Sequence, residues 1–227
     1  MAFRNRTEAG QRLAAKLRAY AHRPDVLVLG LPRGGVPVAY EVAQALAAPL
    51  DIIIVRKLGV PYEPELAMGA IASGGVRVLN TDIILSLDIP SEVVEAVTAE
   101  EQRELARRER AYRGERPAPV IRGRTVILVD DGIATGATVR AAVSALRQQQ
   151  PARIIIAAPV AAAVTCDELR PLVDELVCVL TPDALYGIGY WYDQFPQLSD
   201  DDLRAYLARA WQTDGGQSRE PRPMRYG

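Results

Sequence analysis

Residues 126–138 read Val-Ile-Leu-Val-Asp-Asp-Gly-Ile-Ala-Thr-Gly-Ala-Thr, and no other stretch constrains the chain as strongly. Four consecutive apolar residues, mostly β-branched, predict a strand covered on both faces, as in a parallel sheet. Two adjacent carboxylates, Asp130 and Asp131, follow at its carboxyl end. A Gly/Thr loop comes next, and from about Thr138 apolar residues recur at helical spacing (Val139, Ala142, Val143, Leu146). The loop therefore carries backbone N–H groups and the hydroxyls of Thr135 and Thr138 to a helix N-terminus. First-turn amides lack partners there and the helix dipole is positive, which suits a phosphate. The acids suit ribose hydroxyls or a Mg²⁺ carried by a substrate. A plain strand, turn and capped helix would leave two acids and two threonines unexplained together.

The run resembles the 5-phosphoribosyl-1-pyrophosphate (PRPP) signature of type I phosphoribosyltransferases: four apolar residues, two acids, then a loop ending Thr-Gly-x-Thr. No G-x-x-x-x-G-K-[ST] accompanies the strand to make it a Walker B element, and the acids are adjacent rather than spaced Asp-x-Asp.

The first apolar strand, residues 26–29, is followed by Gly-Leu-Pro-Arg-Gly-Gly and a helix to about Ala47. Glycines there let backbone approach a ligand closely, and Arg33 sets a fixed charge beside it; an ordinary strand-to-helix turn is the other reading. The next strand, 51–55, ends at Arg56 and Lys57, which are either solvated ends or phosphate ligands. Residues 58–90 break the alternation: a Pro-punctuated loop, then apolar runs 68–73 and 76–79 around Gly74-Gly75, a β-hairpin. A charged helix follows over 91–112, capped by Ser91, whose mixed signs (Arg103, Arg107, Arg108, Arg110 and Arg113 among glutamates) predict a solvated, ion-paired face. Beyond the signature come a strand at 153–160, a helix with the capping box Thr165-x-x-Glu168, and a strand at 175–180. At the start of the chain, residues 7–21 form a helix with Thr7 as cap. The fold class is therefore α/β: a doubly wound, five-stranded, mostly parallel sheet in the order 2-1-3-4-5, with a β-hairpin or flexible-loop insertion. In that order the switch point lies between the strands ending near Leu29 and Val129, which carry the two candidate loops.

The last ordered part, 181–210, holds a Tyr-Gly-Ile-Gly-Tyr-Trp-Tyr-Asp-Gln-Phe cluster (186–195) and a helix capped by Ser199. The cluster is either a lid over a flat base or aromatic packing at the sheet or a dimer interface. Residues 1–212 read as one domain, with a polar, Pro/Gly-rich tail at 213–227 that is expected to be disordered. A formal net charge of −1 gives no reason to expect a nucleic-acid surface. No apolar run is long enough to span a membrane, and Cys166 and Cys178 read as reduced core residues of a cytoplasmic protein. His22, the single histidine, reads as a surface residue.

The resemblance, which covers roughly residues 20–195, implies a specific chemistry. Ribose 5-phosphate passes from PRPP to a nitrogenous acceptor, a nucleobase, and pyrophosphate leaves with inversion at C1. Asp130 and Asp131 would bind the 2- and 3-hydroxyls, near the positive charge that develops on the sugar. Ala134, Thr135, Gly136, Ala137 and Thr138 would hold the 5-phosphate. Arg33, Gly34 and Gly35 would hold pyrophosphate with help from Arg56 and Lys57, and a non-proline cis peptide is implied at Pro32–Arg33. Ile133, Tyr186 and Trp191 would meet the base under a C-terminal hood. Mg²⁺ would arrive on PRPP and keep several waters, with no tight protein site. A homodimer is expected. Where hypoxanthine-guanine enzymes carry an acid before Thr-Gly, this chain has Ala134, as adenine-specific enzymes do, which weakens a 6-oxopurine reading and leaves Glu63 or Glu65 as candidate bases. Segments such as Leu-Pro-Arg-Gly-Gly and Arg-Lys-Leu-Gly are similar to a group of uncharacterised bacterial phosphoribosyltransferase-like proteins. A PRPP sensor without turnover is the alternative from another functional class.

Overall fold

A computed structural model describes residues 2–215 of the chain, apart from the side chains of Pro64, Glu65 and residues 213–215. In chain order the elements are α1 (Arg6–Lys16), β1 (Val26–Gly30), α2 (Gly35–Leu46), β2 (Leu50–Ile52), β3 (Val55–Val60), β4 (Glu63–Ala72), β5 (Val76–Leu79), α3 (Thr81–Ser86) and α4 (Ser91–Arg113). They continue with β6 (Thr125–Val129), α5 (Ala137–Gln148), β7 (Arg153–Val160), α6 (Ala163–Leu169), β8 (Glu175–Leu180) and α7 (Asp200–Gly215).

Five strands form one parallel sheet in the order β2-β1-β6-β7-β8, the order that the sequence predicts. Alternate side chains of the central strands enter two separate cores. Val26, Val28, Ile127, Val129, Ile155 and Ala157 pack with α1, α2 and α7, while Leu27, Leu29, Val126, Leu128, Ile154 and Ile156 pack with α5 and α6. Each strand is therefore an unbroken apolar run, because neither face meets water.

The insertion is larger than a hairpin. β3, β4 and β5 make a three-stranded antiparallel sheet, and Gly74 and Gly75 turn from β4 to β5 with φ of 86° and 74°, in the left-handed region that glycine tolerates. The strand expected over 51–55 is divided between the two sheets. β2 ends at Ile52, Ile53 donates to the Gly30 carbonyl (3.2 Å), Ile54 donates to Ser73 Oγ (3.0 Å), and β3 begins at Val55. Ile53 and Ile54 are buried where the chain crosses from sheet to sheet, so the apolar pattern runs on without a break. Arg56 and Lys57 consequently lie within β3, not at the carboxyl end of a core strand.

Three expected caps are relocated. Asn5, not Thr7, caps α1, accepting from the Glu8 amide at 3.0 Å. Pro90 occupies the cap position of α4, so Ser91 is the first helical residue, and α6 is preceded by Ala162 with no side-chain cap, which frees Thr165 for another role. Ser199 does cap α7, through reciprocal bonds with Asp202. That helix continues to Gly215, so the first residues of the expected tail are helical; 216–227 lie outside the described residues.

One arginine of the charged helix leaves its solvated face. Arg113 and Asp51 are each only 4 % exposed and pair at 2.8 Å, tying the end of α4 to β2. Removing one member strands the other charge in the core, which costs about 3–5 kcal/mol. Arg113→Met should therefore lower the unfolding free energy by that amount, read as a lower urea midpoint at unchanged slope, and adding Asp51→Asn should recover part of the loss.

Candidate active site

The loops after β1 and β6 meet at the switch point of the sheet. Leu31 donates to the Val129 carbonyl at 2.9 Å, and the Pro32–Arg33 peptide is cis, as the resemblance implied. The Gly34–Gly35 turn then rests directly on the acids. A Cβ on Gly34 would run into the Asp131 carboxylate, and one on Gly35 would stand 2.6 Å from the Val129 carbonyl oxygen. These glycines are required by close approach, since no side chain fits between the two loops.

After the acids, Ile133 donates to the Val160 carbonyl (2.9 Å) and accepts from Ala162 (3.1 Å), bracing the loop against the end of β7. Thr165 Oγ1 donates to the Ala134 carbonyl at 2.6 Å, so the threonine read as a helix cap holds the loop instead. Gly136 has φ 72°, and a Cβ there would lie 2.8 Å from Thr165 Cγ2, so Thr-Gly-x-Thr needs its glycine on two counts. Arg140 donates to the Thr135 carbonyl and pairs with Glu168 at 3.0 Å. Among the described residues, the amides of Ala134, Thr135, Gly136, Ala137 and Thr138 donate to no backbone or side-chain acceptor. Five N–H groups thus converge, unspent, at the start of a 12-residue helix.

The acids sit in a poorly hydrated corner. Asp131 is buried and Asp130 half-buried. Burial, and then the neighbouring Asp131 charge, push the Asp130 carboxyl well above the ordinary carboxylate range. Burial also raises Asp131, against the pull of Arg6, whose Nε lies 2.8 Å from its Oδ2. Arg6 is a residue that sequence reading missed: it comes from the first turn of α1, distant in the chain, and looks there like any helix-surface charge. Tyr192 is the other, its hydroxyl donating to the Asp131 carbonyl at 2.6 Å. Burial, then the Asp131 charge, push that phenol upward as well.

The aromatic cluster is partly packed inward and partly exposed. Tyr192 packs inward against Phe3 and Phe195, whereas Tyr186 (87 % exposed) and Tyr190 stand out in solvent with ring centres 5.9 Å apart. Ile188 covers Gly132, and the half-buried Trp191 donates to the Leu185 carbonyl at 3.1 Å. Ile133 is 2 % exposed and packs into the core beneath the loop, so its side chain presents no face to a base.

Arg33 belongs to the site by position, and its guanidinium stands 3.6 Å from Asp200. Arg56 is engaged by Glu101 at 2.6 Å, and with Lys57 it lines a groove beside α4 apart from the acids and both loops. Glu63 opens β4 and is exposed; the Glu65 side chain lies outside the described residues. His22 is exposed, the surface residue that the sequence predicts. Cys166 and Cys178 are free thiols, and burial pushes Cys178 up to about 12, which keeps it protonated and unreactive. Among the described residues, no group of three or more His, Cys, Asp or Glu could hold a metal ion, and no helix is long and apolar enough to cross a membrane.

A family described as the phosphoribosyl transferase domain matches residues 3–59 and 63–184. The chain belongs to that family. It is 44 % identical over 208 residues to a Mycobacterium tuberculosis H37Rv protein named "Putative phosphoribosyl transferase Rv0571c", covering 92 % of this chain and 47 % of that one. This transferase-family chain thus spans about half the length of the curated relatives it matches. Its fold is also that of the protein TT1426 from Thermus thermophilus, with a TM-score of 0.83, 39 % identity, and coverage of 92 % and 99 % of the two chains.

The two acids of this transferase fold should respond oppositely to amidation. The raised titration of Asp130 means that the folded state holds its proton to higher pH than the unfolded chain does. Its ionisation therefore opposes folding as pH rises from about 4 through its folded value. Asp130→Asn should raise the thermal midpoint of the ligand-free protein at neutral pH, with a gain that shrinks toward pH 4. Asp131→Asn should lower it, at a cost of about 3–5 kcal/mol, because Arg6 stays buried without its partner. Calorimetric melts across pH 4–8 check both signs.

Proposed function

We propose that the protein transfers ribose 5-phosphate from PRPP to a nitrogenous acceptor, a nucleobase, with release of pyrophosphate. The observation that carries this reading is the set of five unspent amides at the start of α5, one turn from a buried acid pair at the switch point. A phosphate at those amides sets a sugar across the acids, and the cis-peptide turn of Arg33, Gly34 and Gly35 lies beside them to take pyrophosphate. In the reaction the C1–O bond to pyrophosphate breaks, the acceptor nitrogen bonds to C1, and that nitrogen gives up its proton. The acid pair faces the positive charge that develops on the sugar.

Mg²⁺ bound to the pyrophosphate would neutralise the leaving group. Asp130 fits such an ion held mostly by substrate oxygens, since no cation of the protein pairs with it among the described residues. Tyr186 and Trp191 are proposed to meet the base, with Ala134 leaving no acid at the loop. Arg56 and Lys57 would reach pyrophosphate only if β3 or its turn moved. A homodimer and a cytoplasmic location belong to the same proposal.

Incubation with PRPP, Mg²⁺ and a panel of nucleobases, followed by pyrophosphate release, tests the reading. Turnover with at least one base is expected, and Asp130→Asn should reduce it by about a hundredfold or more. Tight PRPP binding with no release for any acceptor would instead identify a sensor.

A further inference from the structure

Thr165 and Glu168 have the spacing of a capping box, yet α6 takes no side-chain cap, and both residues serve the loop after β6 instead. Four consecutive carbonyls of that loop are held on the protein side. Ile133 O accepts the Ala162 amide at 3.1 Å, and Ala134 O accepts the Thr165 hydroxyl at 2.6 Å. Thr135 O accepts Nη2 of Arg140, and Gly136 O accepts the Arg140 amide at 2.8 Å. The peptides of the loop are trans. In a planar trans peptide the C=O and the N–H of the next residue point in opposite directions. Anchoring the carbonyls of 133–136 therefore turns the amides of Ala134, Thr135, Gly136 and Ala137 outward, which is why they go unspent.

Two of these anchors are main chain and two are side chains. Thr165 fixes the peptide that carries the Thr135 amide, and Arg140 fixes the peptide that carries the Gly136 amide. Thr165 is 3 % exposed. A Cβ on Gly136 would stand 2.8 Å from Thr165 Cγ2 and 3.5 Å from Arg140 Nη2, so the glycine lets the loop rest on both side chains. Arg140 is held in turn by Glu168 at 3.0 Å, a pair that lies toward solvent and is individually weak.

We propose that Thr165 and Arg140 are positioning residues of the transferase site: by holding the Ala134 and Thr135 carbonyls they aim two amides at the 5-phosphate. A peptide freed to rotate would present a carbonyl oxygen where the anion needs an N–H. Helix α6, outside both loops, then sets the affinity for that phosphate. The ligand in this statement rests on the PRPP reading; the orientation of the amides does not.

Two measurements on the full chain test this. Residual dipolar couplings report the N–H directions of residues 134–138 without ligand, and calorimetry with ribose 5-phosphate reads the phosphate seat. Thr165→Val keeps a methyl group and removes the hydroxyl. It should reorient the Thr135 amide, leave that of Gly136 in place, and weaken ribose 5-phosphate about tenfold. Thr165→Ser, which returns the hydroxyl, should bind within about twofold of the wild type. Arg140→Met should reorient the Gly136 amide and weaken the sugar phosphate to a similar degree. A merely structural Thr165 would lower the thermal midpoint on substitution by Val but leave amide directions and affinity unmoved. An equal loss in Thr165→Ser would assign the effect to packing; either result overturns the proposal. If Thr165→Val does not fold, Thr165→Ala against Thr165→Ser makes the same comparison, since those two differ by the hydroxyl alone. If the wild type binds no ribose 5-phosphate, the PRPP reading falls, while the amide directions still decide the roles of Thr165 and Arg140.

Discussion

Two carboxylates held side by side at the end of a buried strand form the interaction on which the rest of the structure depends. Each resists burial, and each raises the cost of ionising the other. The chain answers with one cation, Arg6, which it brings from its first helix and fixes between Asp131, Pro196 and Phe195. That requirement binds the first helix to the segment that follows β8. Phe3 bridges to Tyr192, Tyr192 reaches the Asp131 carbonyl, and the segment after β8 closes over Gly132 through Ile188. A strained electrostatic corner is thus enclosed by elements that are remote in sequence. Carboxylates perturbed by burial and by each other in this way mark a candidate functional site.

The sheet supplies the direction of the site. Parallel strands deliver all their carboxyl ends to one edge, and the reversal of strand order between β1 and β6 opens the crevice there. Glycine at 34 and 35 lets the loop of β1 lie against the acids of β6. Thr165, Gly136 and the bonds of Ile133 set the loop of β6 so that its amides point away from the protein's own acceptors. Neither loop has the freedom to collapse onto its neighbour. The cost of leaving amides unspent falls on groups that water or a phosphate can reach.

The antiparallel insertion is organised by a different balance. Its first strand carries Arg56, which is held by Glu101 of α4, and Arg77 at its far edge pairs with Glu95 of the same helix. These contacts lie toward solvent and are individually weak. The deeper bond between the two halves is the Asp51–Arg113 pair, shielded from water on the main-sheet side. The insertion is therefore fastened firmly at its root and lightly along its strands, with Tyr62 fully out in solvent at the turn between β3 and β4.

Local pattern carried much of this information in advance. Unbroken apolar runs marked the three central strands because both of their faces are dry, and the strand-acids-Thr-Gly-x-Thr run located the central loop because its chemistry is contiguous in sequence. Strand order followed from connection rules that are local as well. Other features had no local signature. Ile53 and Ile54 look like the middle of one strand, yet the chain changes sheets there; a buried crossing is as apolar as a buried strand. Thr165 and Glu168 have the spacing of a capping box, but Thr165 faces the Ala134 carbonyl and Glu168 faces Arg140. Arg113 read as a solvated helix charge, and Arg6 lay ahead of the helix expected from Thr7, until packing set carboxylates against them. The sequence by itself determined the apolar runs of the main sheet, where that sheet reverses and where a strand passes through two acids into a Gly/Thr loop and a helix, since these depend on periodicity and backbone chemistry over a few residues. Only the tertiary structure decided which charges are buried together, because the energy of an ion pair depends on separation and dielectric, and Asp131 is 125 positions along the chain from Arg6.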